Sequence, residues 1–385
     1  MRIAYVTETY PPEVNGVSLN VAKTVEYLRQ EGHSVDLIRP RQPHEANQPR
    51  PDEWLTAGCA IPMHPDLRFG LALPSSVRRR FEASRAELVH IATPGPLGHI
   101  AARVARSMGL PVTADFRINF DRYSHDHGLG WGESLIKRGM KSLHDVADLS
   151  FVPTPGLQAR LSSNGFDRLE VVGRGVDAQR FSPQWRCDRQ RSTWGASPHT
   201  PVMLYVGRLA AEKQIDLALQ AWLRTRAVCP HAIMVVVGDG PRGRDVRKRW
   251  PNAIFTGVLS GDALARAYAS ADIFLFPSLS ETFGNVTLEA MASGLCVVAF
   301  KDAAAEELIR DGQNGFVVSR GDREGFCKAA ADAASHLAFL SRLREQARSR
   351  ATMNDWSSAL WLQSQRMAAL VDASGDRHVS AACVA

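Results

Sequence analysis

The segment from Ser278 to Gly294 is the most informative part of the chain about its fold, and it reads Ser-Leu-Ser-Glu-Thr-Phe-Gly-Asn-Val-Thr-Leu-Glu-Ala-Met-Ala-Ser-Gly. Short apolar runs at 272–277 and 295–300 lie on either side of it, and both are typical of buried parallel strands. Within it, residues 284–293 carry apolar side chains at helical spacing, and Gly294 is suited to ending the helix. The segment therefore predicts one strand, loop, helix and strand unit of a parallel sheet.

The loop of this unit is expected to bind an anion. A helix that begins near Gly284 directs backbone N–H groups and the positive end of its dipole toward the carboxyl edge of the sheet. Glu281 and Glu289 flank this position, and carboxylates suit hydroxyl groups better than phosphates. Either glutamate taken singly is more simply a solvated residue. Together, the three features fit a nucleotide diphosphate sugar, which has a phosphate centre between two hydroxylated groups.

The complete pattern resembles the E-x(7)-E motif of the retaining glycosyltransferases of family four, which have the GT-B fold. The resemblance implies an α/β architecture of two Rossmann-like domains with parallel sheets that face each other across a cleft. The first domain would bind the acceptor and the second the nucleotide sugar, and a C-terminal helix would cross back to the first. The predicted boundaries are 1–180, 181–355, 356–372 for the returning helix and 373–385 for a flexible tail.

A second pattern, Gly-Arg-x(4)-Lys, follows the predicted strand at 201–206. A lysine at the start of a helix is disfavoured by the helix dipole, by up to about 1 kcal/mol. Arg208 and Lys213 together therefore suggest a bound anion, and their spacing resembles the family's pair that binds the donor diphosphate. The resemblance assigns catalytic roles to Glu281, Arg208 and Lys213, with Glu281 on the hexose and Glu289 on the ribose.

Other donor contacts are implied by resemblance. Gly16 ends a loop that resembles the family's N-terminal glycine loop, although a glycine there also fits an ordinary turn. The turn at 238–243 has the form G-x-G-x-x-G, but Pro241 interrupts it and it does not open the first unit of its domain. It would instead lie near the nucleobase. The donor-binding residues expected are Gly16, Gly238, Val258, Leu259, Phe283, Gly284, Asn285, Val286 and Glu289.

A loop that begins at residue 117 is expected to contact the acceptor or the transferred sugar. It collects basic, amide and aromatic groups after the predicted strand at 111–116, at the edge of the sheet where substrates bind. Relatives that glycosylate lipids usually have a His-Thr-Asn-Phe-like sequence in this loop, and here Arg117 and Ile118 replace the first two residues. We expect Arg117, Asn119 and Tyr123 to contact the sugar or the acceptor, with Arg117 suited to an anionic or differently substituted group.

Composition limits the partners. The chain has 46 basic and 40 acidic side chains and a net charge of +6, and the excess is spread over both halves, so no nucleic-acid surface is predicted. The six cysteines have no C-x-x-C pattern, which is typical of reduced thiols in a cytoplasmic protein. No apolar run approaches the roughly 20 residues of a membrane span. Two basic segments, 75–87 and 131–143, fit either a solvated surface or a peripheral contact with anionic membrane at the inner face.

The resemblance implies retaining transfer of a hexose from GDP-mannose or a UDP-hexose to a hydroxyl acceptor such as a membrane lipid or glycolipid. The motifs are most similar to mannosyl-, glucosyl- and sulfoquinovosyl-transferring members. No cofactor or metal is expected, because Arg208, Lys213 and the helix start at Gly284 can neutralise the leaving diphosphate. Two other functions would use the same donor cradle: a GT-B sugar-nucleotide epimerase and a non-catalytic protein that binds sugar nucleotides.

Overall fold

A computed structural model describes the chain apart from residues 14, 43–44, 46–48, 62–63, 118–132, 336 and 383–385. The chain divides into two compact units, Met1–Gly173 with Ser357–Ala385, and Arg174–Trp356. The division between the first and second units therefore follows Gly173, earlier than the predicted boundary at residue 180. Each unit contains one sheet with helices packed on it.

The sheet of the first unit has eight strands in the part of the chain that the structure describes, in the order β4-β3-β2-β1-β5-β6-β7-β8. β3 and β4 pair antiparallel, and the other neighbouring strands are parallel. The strands are β1 Arg2–Val6, β2 Ser34–Pro40, β3 Glu53–Ile61, β4 His64–Leu71, β5 Leu88–Ile91, β6 Val112–Asp115, β7 Leu149–Val152 and β8 Leu169–Val171.

Helices cover both faces of this sheet, and its central strands are therefore buried on each side. The first helix begins after Asn15, whose side chain accepts a hydrogen bond from the Ser18 N–H and completes a capping box. The helices are α1 Gly16–Gln30, α2 Pro74–Ser84, α3 Pro96–Ser107, α4 Glu133–Val146 and α5 Pro155–Ser163.

The second unit has a parallel sheet of six strands among the described residues, in the order β11-β10-β9-β12-β13-β14. Its strands are β9 Val202–Val206, β10 Ile233–Val237, β11 Ile254–Gly257, β12 Ile273–Phe276, β13 Cys296–Phe300 and β14 Gly315–Val318. Its helices are α6 Asp188–Thr193, α7 Ile215–Val228, α8 Gly243–Arg249, α9 Gly261–Ser270, α10 Asn285–Ala292, α11 Ala303–Leu308, α12 Arg323–Ser335 and α13 Leu337–Thr352.

The strand order places β9 between β10 and β12. The chain adds β10 and β11 on one side of β9 and then crosses to the other side for β12, β13 and β14. The loop after β9 therefore leads to one side of the sheet and the loop after β12 leads to the other. A crevice forms where two such loops diverge at the carboxyl edge, and ligands usually bind there in sheets of this kind. The predicted α/β fold class, with two domains built on parallel sheets, is confirmed.

The last helix, α14 Trp356–Ala382, packs on the first unit. Met367 is fully buried in a cluster that includes Val21, Val25 and Phe151. Farther toward the start of the helix, Gln363 Nε2 donates to Asp115 Oδ1 at 3.3 Å. The predicted return of the C-terminal helix to the first domain is therefore confirmed.

The helix α14 is longer than the predicted returning helix of 356–372. Residues 373–382, which the sequence suggested as a flexible tail, are helical in the structure. This stretch contains no proline and includes Ala373, Ala381 and Ala382, and alanine is the best helix former. The helix therefore continues past its packed portion.

A buried ion cluster anchors the amino end of β12. Asp272, 5% exposed, pairs with Arg186 at 2.9 Å, Arg191 at 3.0 Å and Arg344 at 3.0 Å. Its carboxylate also accepts the backbone N–H of Val202 at 2.9 Å. Burial lowers the pKa of the Arg344 guanidinium, and the negative charge of Asp272 opposes this shift. The cluster ties the segment before β9 and helix α13 to the centre of the sheet.

We predict that Asp272→Ala lowers the free energy of unfolding by about 3–5 kcal/mol, because it leaves three arginines without their shared counter-charge. Asp332→Ala, which removes an exposed carboxylate on α12, should change it by less than about 0.5 kcal/mol. Urea unfolding followed by circular dichroism measures both. An unfolding midpoint for Asp272→Ala equal to that of the unmodified chain would contradict the prediction.

Candidate active site

The candidate site lies at the carboxyl ends of β9 and β12, which are neighbours in the sheet of the second unit. Arg208 and Lys213 follow β9, and Glu281 follows β12. Lys213 and Glu281 are 68 positions apart in the sequence but adjacent in space, because the two strands end at the same edge. The structure therefore brings together the three residues to which the sequence assigned catalysis.

Lys213 and Glu281 form an ion pair within this crevice. The Lys213 ammonium contacts Glu281 Oε1 and lies 3.5 Å from the carbonyl oxygen of Ser280. The Ser278 hydroxyl donates to the same Glu281 oxygen at 2.7 Å. The side chains of Lys213 and Glu281 are 20% and 17% exposed, so both groups are held in place and still reach solvent.

Arg208 is held by Glu212. Its Nη2 donates to Glu212 Oε1 at 2.5 Å, and the side chain of Arg208 is 36% exposed whereas that of Glu212 is 6% exposed. Glu212 lies in the short 3-10 turn Ala211–Lys213. The carbonyl of Glu212 accepts the N–H of Leu279 at 3.1 Å. This bond joins the turn after β9 to the loop after β12.

Gly284 caps the helix α10 in a left-handed conformation, with φ 85° and ψ 65°. A Cβ at this position would meet its nearest neighbour at 3.5 Å, an ordinary contact, so the positive φ and not a lack of space favours glycine. The helix that follows begins directly after this residue, and the binding of an anion by its first N–H groups stays a prediction. Such N–H groups have no partner within the helix and suit an anion.

Two of the predicted donor-binding residues beside Gly284 point their side chains inward. Phe283 is 5% exposed and belongs to the core, and Val286 packs against the same core. The Phe283 carbonyl accepts the N–H of Ala304 at 2.8 Å. Phe283 and Val286 therefore anchor the start of the helix in the core, and donor contacts of Phe283, Asn285 and Val286 stay predictions.

Glu289 is fixed by a tyrosine that the sequence did not indicate. The hydroxyl of Tyr268 on α9 donates to Glu289 Oε2 at 3.1 Å. Burial, together with the charge of Glu289, raises the pKa of the Tyr268 hydroxyl well above its ordinary value, so the tyrosine remains a hydrogen-bond donor. Glu289 thus has a defined orientation one turn into α10.

Gly238 marks a close approach between β10 and β9. Its φ is +127°, and a Cβ there would lie 2.1 Å from the carbonyl oxygen of Gly207. Val258 and Leu259 follow β11, on the far side of β10; Val258 is 66% exposed and Leu259 packs against the core. All three residues lie at the same carboxyl edge as Arg208. Gly238 is one strand away from β9, and Val258 and Leu259 are two strands away.

Gly16 belongs to the first unit, where it is the first residue of α1, and a Cβ there would meet no atom within 4 Å. The loop before it contains Glu8, which the sequence did not indicate. The Glu8 carboxylate accepts the N–H groups of Leu97, at 3.0 Å, and of Gly70. Burial raises the pKa of Glu8 to about 7. Glu8 therefore ties the loop after β1 to the start of α3 and to β4.

Arg117 is buried instead of lying in an open loop. It is 5% exposed, its Nε donates to Asp115 Oδ2 at 2.7 Å, and its Nη2 lies 3.4 Å from the hydroxyl of Tyr5. The carboxylate of Asp115 draws the guanidinium into the unit, which gives Arg117 a structural role that the sequence did not suggest. Its contact with a sugar or acceptor stays a prediction, and Asn119 and Tyr123 lie outside the described residues.

The supporting residues differ in how visible they are in the sequence. Ser278 lies three residues from Glu281, and Glu212 lies four residues from Arg208. Spacing this short can predict a side-chain contact from the sequence. Tyr268 is 21 residues from Glu289, and Glu8 is 62 and 89 residues from its two partners. Contacts at such separations depend on the packing of different elements and leave no local pattern.

Family models match both halves of the chain. A model described as "Glycosyltransferase Family 4" matches residues 14–180, and one described as "Glycosyl transferases group 1" matches residues 200–336. The second match contains the whole candidate site.

Similar proteins agree with these matches. The chain is 33% identical to a "GDP-mannose-dependent alpha-mannosyltransferase" of Mycolicibacterium smegmatis over 344 residues, 88% of each chain. It is 30% identical to "Sulfoquinovosyl transferase SQD2" of Arabidopsis thaliana, over 84% of this chain and 64% of the relative. It is 27% identical to "Alpha-monoglucosyldiacylglycerol synthase" of Streptococcus pneumoniae, over 81% of this chain and 74% of the relative.

Solved structures support the fold. Sucrose-phosphate synthase from Thermosynechococcus elongatus gives a TM-score of 0.78 at 18% identity, covering 96% of this chain and 99% of that one. Anabaena Alr3699/HepE in complex with UDP and glucose gives 0.75 at 17% identity, covering 96% and 100%. With both halves matched and a relative 33% identical over 88% of its length, the chain belongs to the family-four glycosyltransferases and is a hexosyltransferase of the GT-B fold.

Proposed function

We propose that the protein transfers a hexose, with retention of anomeric configuration, from a nucleotide diphosphate hexose to a hydroxyl group of a lipid or glycolipid. The observation that carries this proposal is the convergence of Arg208, Lys213 and the start of α10 at the crevice between β9 and β12. GDP-mannose is the first donor candidate because it appears in the name of the mycobacterial relative. A UDP-hexose is the second, since UDP is bound in a structure of the same fold.

Arg208 and Lys213 would stabilise the diphosphate as it leaves. Negative charge grows on the leaving phosphate as its bond to the sugar breaks, and pre-positioned cations and N–H groups stabilise that charge strongly. An ammonium group has three donors, and the contacts of Lys213 with Glu281 and Ser280 account for two. The third can therefore bind a phosphate oxygen without breaking the ion pair.

The two glutamates would bind the sugars on either side of the diphosphate. Glu281, held by Ser278 and Lys213, is placed to accept hydrogen bonds from hexose hydroxyls. Glu289, held by Tyr268, is placed to accept them from the ribose. Both carboxylates are oriented by neighbours before any donor arrives, which reduces the ordering cost of binding.

In the reaction we propose, the acceptor hydroxyl attacks the anomeric carbon on the face from which the diphosphate departs. The bond between the anomeric carbon and the phosphate oxygen breaks, a new carbon–oxygen bond forms, and the departing phosphate takes the hydroxyl proton. Arg208 and Lys213 direct cationic N–H donors at the departing phosphate in this step, so we propose that it needs no metal ion. The named relatives are transferases, which favours transfer over epimerisation or binding alone.

We predict that the purified protein, given GDP-mannose and membrane lipid extract, forms a mannosyl lipid and releases GDP in equal amounts. The anomeric one-bond carbon–hydrogen coupling in the product should match the α configuration of the donor, and EDTA should leave the rate unchanged. UDP-glucose and UDP-galactose serve as comparison donors. Epimerised or hydrolysed donor without a glycosylated product, or tight donor binding without turnover, would overturn the proposal.

We predict that Lys213→Ala and Glu281→Ala each lower kcat by at least about 100-fold, the usual effect of removing one group that stabilises a transition state. Lys248→Ala, which removes an exposed lysine of α8, is the matched control and should keep its activity. Thermal unfolding of each variant shows whether the fold is kept. Turnover near that of the unmodified protein in either variant would remove these residues from the proposed mechanism.

A lipid acceptor requires access to a membrane, and we propose that the region around α2 provides it. Leu71 and Leu73, 45% and 70% exposed, precede the helix, and Arg79 is exposed on it. Arg80, part of the same basic segment, instead pairs with Asp36 and is largely neutralised. Among the described residues, no helix is long and apolar enough to cross a membrane. A peripheral contact through apolar side chains and arginines would suit an anionic lipid surface.

We predict that Leu73→Asp combined with Arg79→Glu reduces binding to vesicles containing anionic lipid by at least about tenfold, because it removes apolar contact and reverses a charge. Sedimentation with the vesicles measures the effect. Leu223→Asp, which changes an equally prominent exposed leucine in the second unit, 54% exposed, is the control and should bind as before. Equal vesicle binding by the two variants would refute the proposed contact.

A further inference from the structure

Glu212 is a buried carboxylate beside Arg208 and Lys213 that has no part in the proposed bond-making steps. It is 6% exposed and directly precedes Lys213. Its Oε1 accepts a hydrogen bond from Arg208 at 2.5 Å, and its main-chain carbonyl accepts one from Leu279 at 3.1 Å. One residue therefore contacts the loops that carry Arg208, Lys213 and Glu281.

The environment of the Glu212 carboxylate is unfavourable for the stability of the fold. Its Oε2 is buried and accepts no hydrogen bond from the described residues. Buried polar atoms are nearly always paired, and a buried charge with an unsatisfied oxygen is costly to the fold. Such costs are typical of functional sites, where local stability is traded for geometry.

Arg208 is the side chain that gains from this contact. Its side chain is 36% exposed, so packing alone does not hold the guanidinium. A guanidinium carries five N–H donors in a rigid plane, and fixing one of them to Glu212 sets the direction of the others. The side chain then loses less conformational entropy when it binds a diphosphate.

We infer that Glu212 is a positioning residue that holds the Arg208 guanidinium toward the leaving diphosphate. The inference rests on the proposed function, because it requires Arg208 to act on the diphosphate. The Glu212 carbonyl also accepts a hydrogen bond from the N–H of Leu279. This bond fixes the turn after β9, and with it Arg208, relative to the loop that carries Glu281. Glu212 acts through Arg208 and touches no substrate itself.

A double-mutant cycle between Glu212 and Arg208 tests the inference. Glu212→Leu keeps the volume and burial of the side chain but cannot accept a hydrogen bond, and Glu212→Gln keeps an acceptor oxygen. We expect Glu212→Leu to lower kcat by about 10–100-fold, the usual loss when a supporting contact of an active-site group is removed. We expect Glu212→Gln to recover most of that loss. In an Arg208→Ala background, Glu212→Leu should change kcat by less than about twofold, because its effect passes through Arg208.

The outcomes separate the inference from the proposed function. A further loss from Glu212→Leu in the Arg208→Ala background, equal to its loss in the unmodified protein, would make Glu212 an independent structural residue and overturn the inference. Unchanged kcat in Glu212→Leu alone would also overturn it. Normal turnover in Arg208→Ala would instead refute the role of Arg208 in the proposed function. Glu345→Leu, at an exposed carboxylate of α13, is the control and should match the unmodified protein.

Folding of the variants is measured separately. If Glu212→Leu does not fold, as judged by circular dichroism and urea unfolding, the cycle is run with Glu212→Ala, which also removes the acceptor. We then expect a change in kcat in the unmodified background that disappears in the Arg208→Ala background. A change of the same size in both backgrounds would overturn the inference.

Discussion

The ion pair between Lys213 and Glu281 joins the two loops on which this glycosyltransferase depends. One residue follows β9 and the other follows β12, and these strands are neighbours although β10 and β11 intervene in the chain. A parallel sheet places the carboxyl ends of adjacent strands at one edge, so the order of the strands decides which loops meet. Ser278 holds Glu281 within its own loop, Glu212 holds Arg208 within the other, and the Glu212 carbonyl joins the two loops by accepting the N–H of Leu279.

Buried carboxylates recur in both units, and each is compensated in a different way. Asp272 is surrounded by three arginines, and Asp115 pairs with Arg117. Glu8 instead accepts backbone N–H groups, including that of Leu97 at the start of α3. Burial raises the pKa of Glu8 to about 7, so the fold favours its protonated form and loses stability from this group as the pH rises from 4.5 through 7. Arginine partners and helix starts thus serve the structure as well as the proposed chemistry.

Much of the second unit was predictable from local pattern. The strand at β12, the helix α10 and the glycine between them follow from apolar spacing and from the residues that start and end helices. Arg208 and Lys213 stood out because cations at the start of a helix are disfavoured, whereas Glu281 stood out only together with the rest of its motif. The first unit was less predictable, since the antiparallel pair of β3 and β4 lies in a proline-rich stretch with weak periodicity.

The amino-acid sequence alone determined the α/β class, the family resemblance and the residues proposed to bind the donor, because these depend on side-chain types at short spacings. Three contacts became visible only in the folded chain: Tyr268 orients Glu289, Asp115 draws Arg117 inward, and Glu212 holds Arg208 from a buried position. Burial and partners across separate elements depend on how the strands order and the helices pack. A periodic pattern reports the environment of one element at a time, and it therefore carries no record of those contacts.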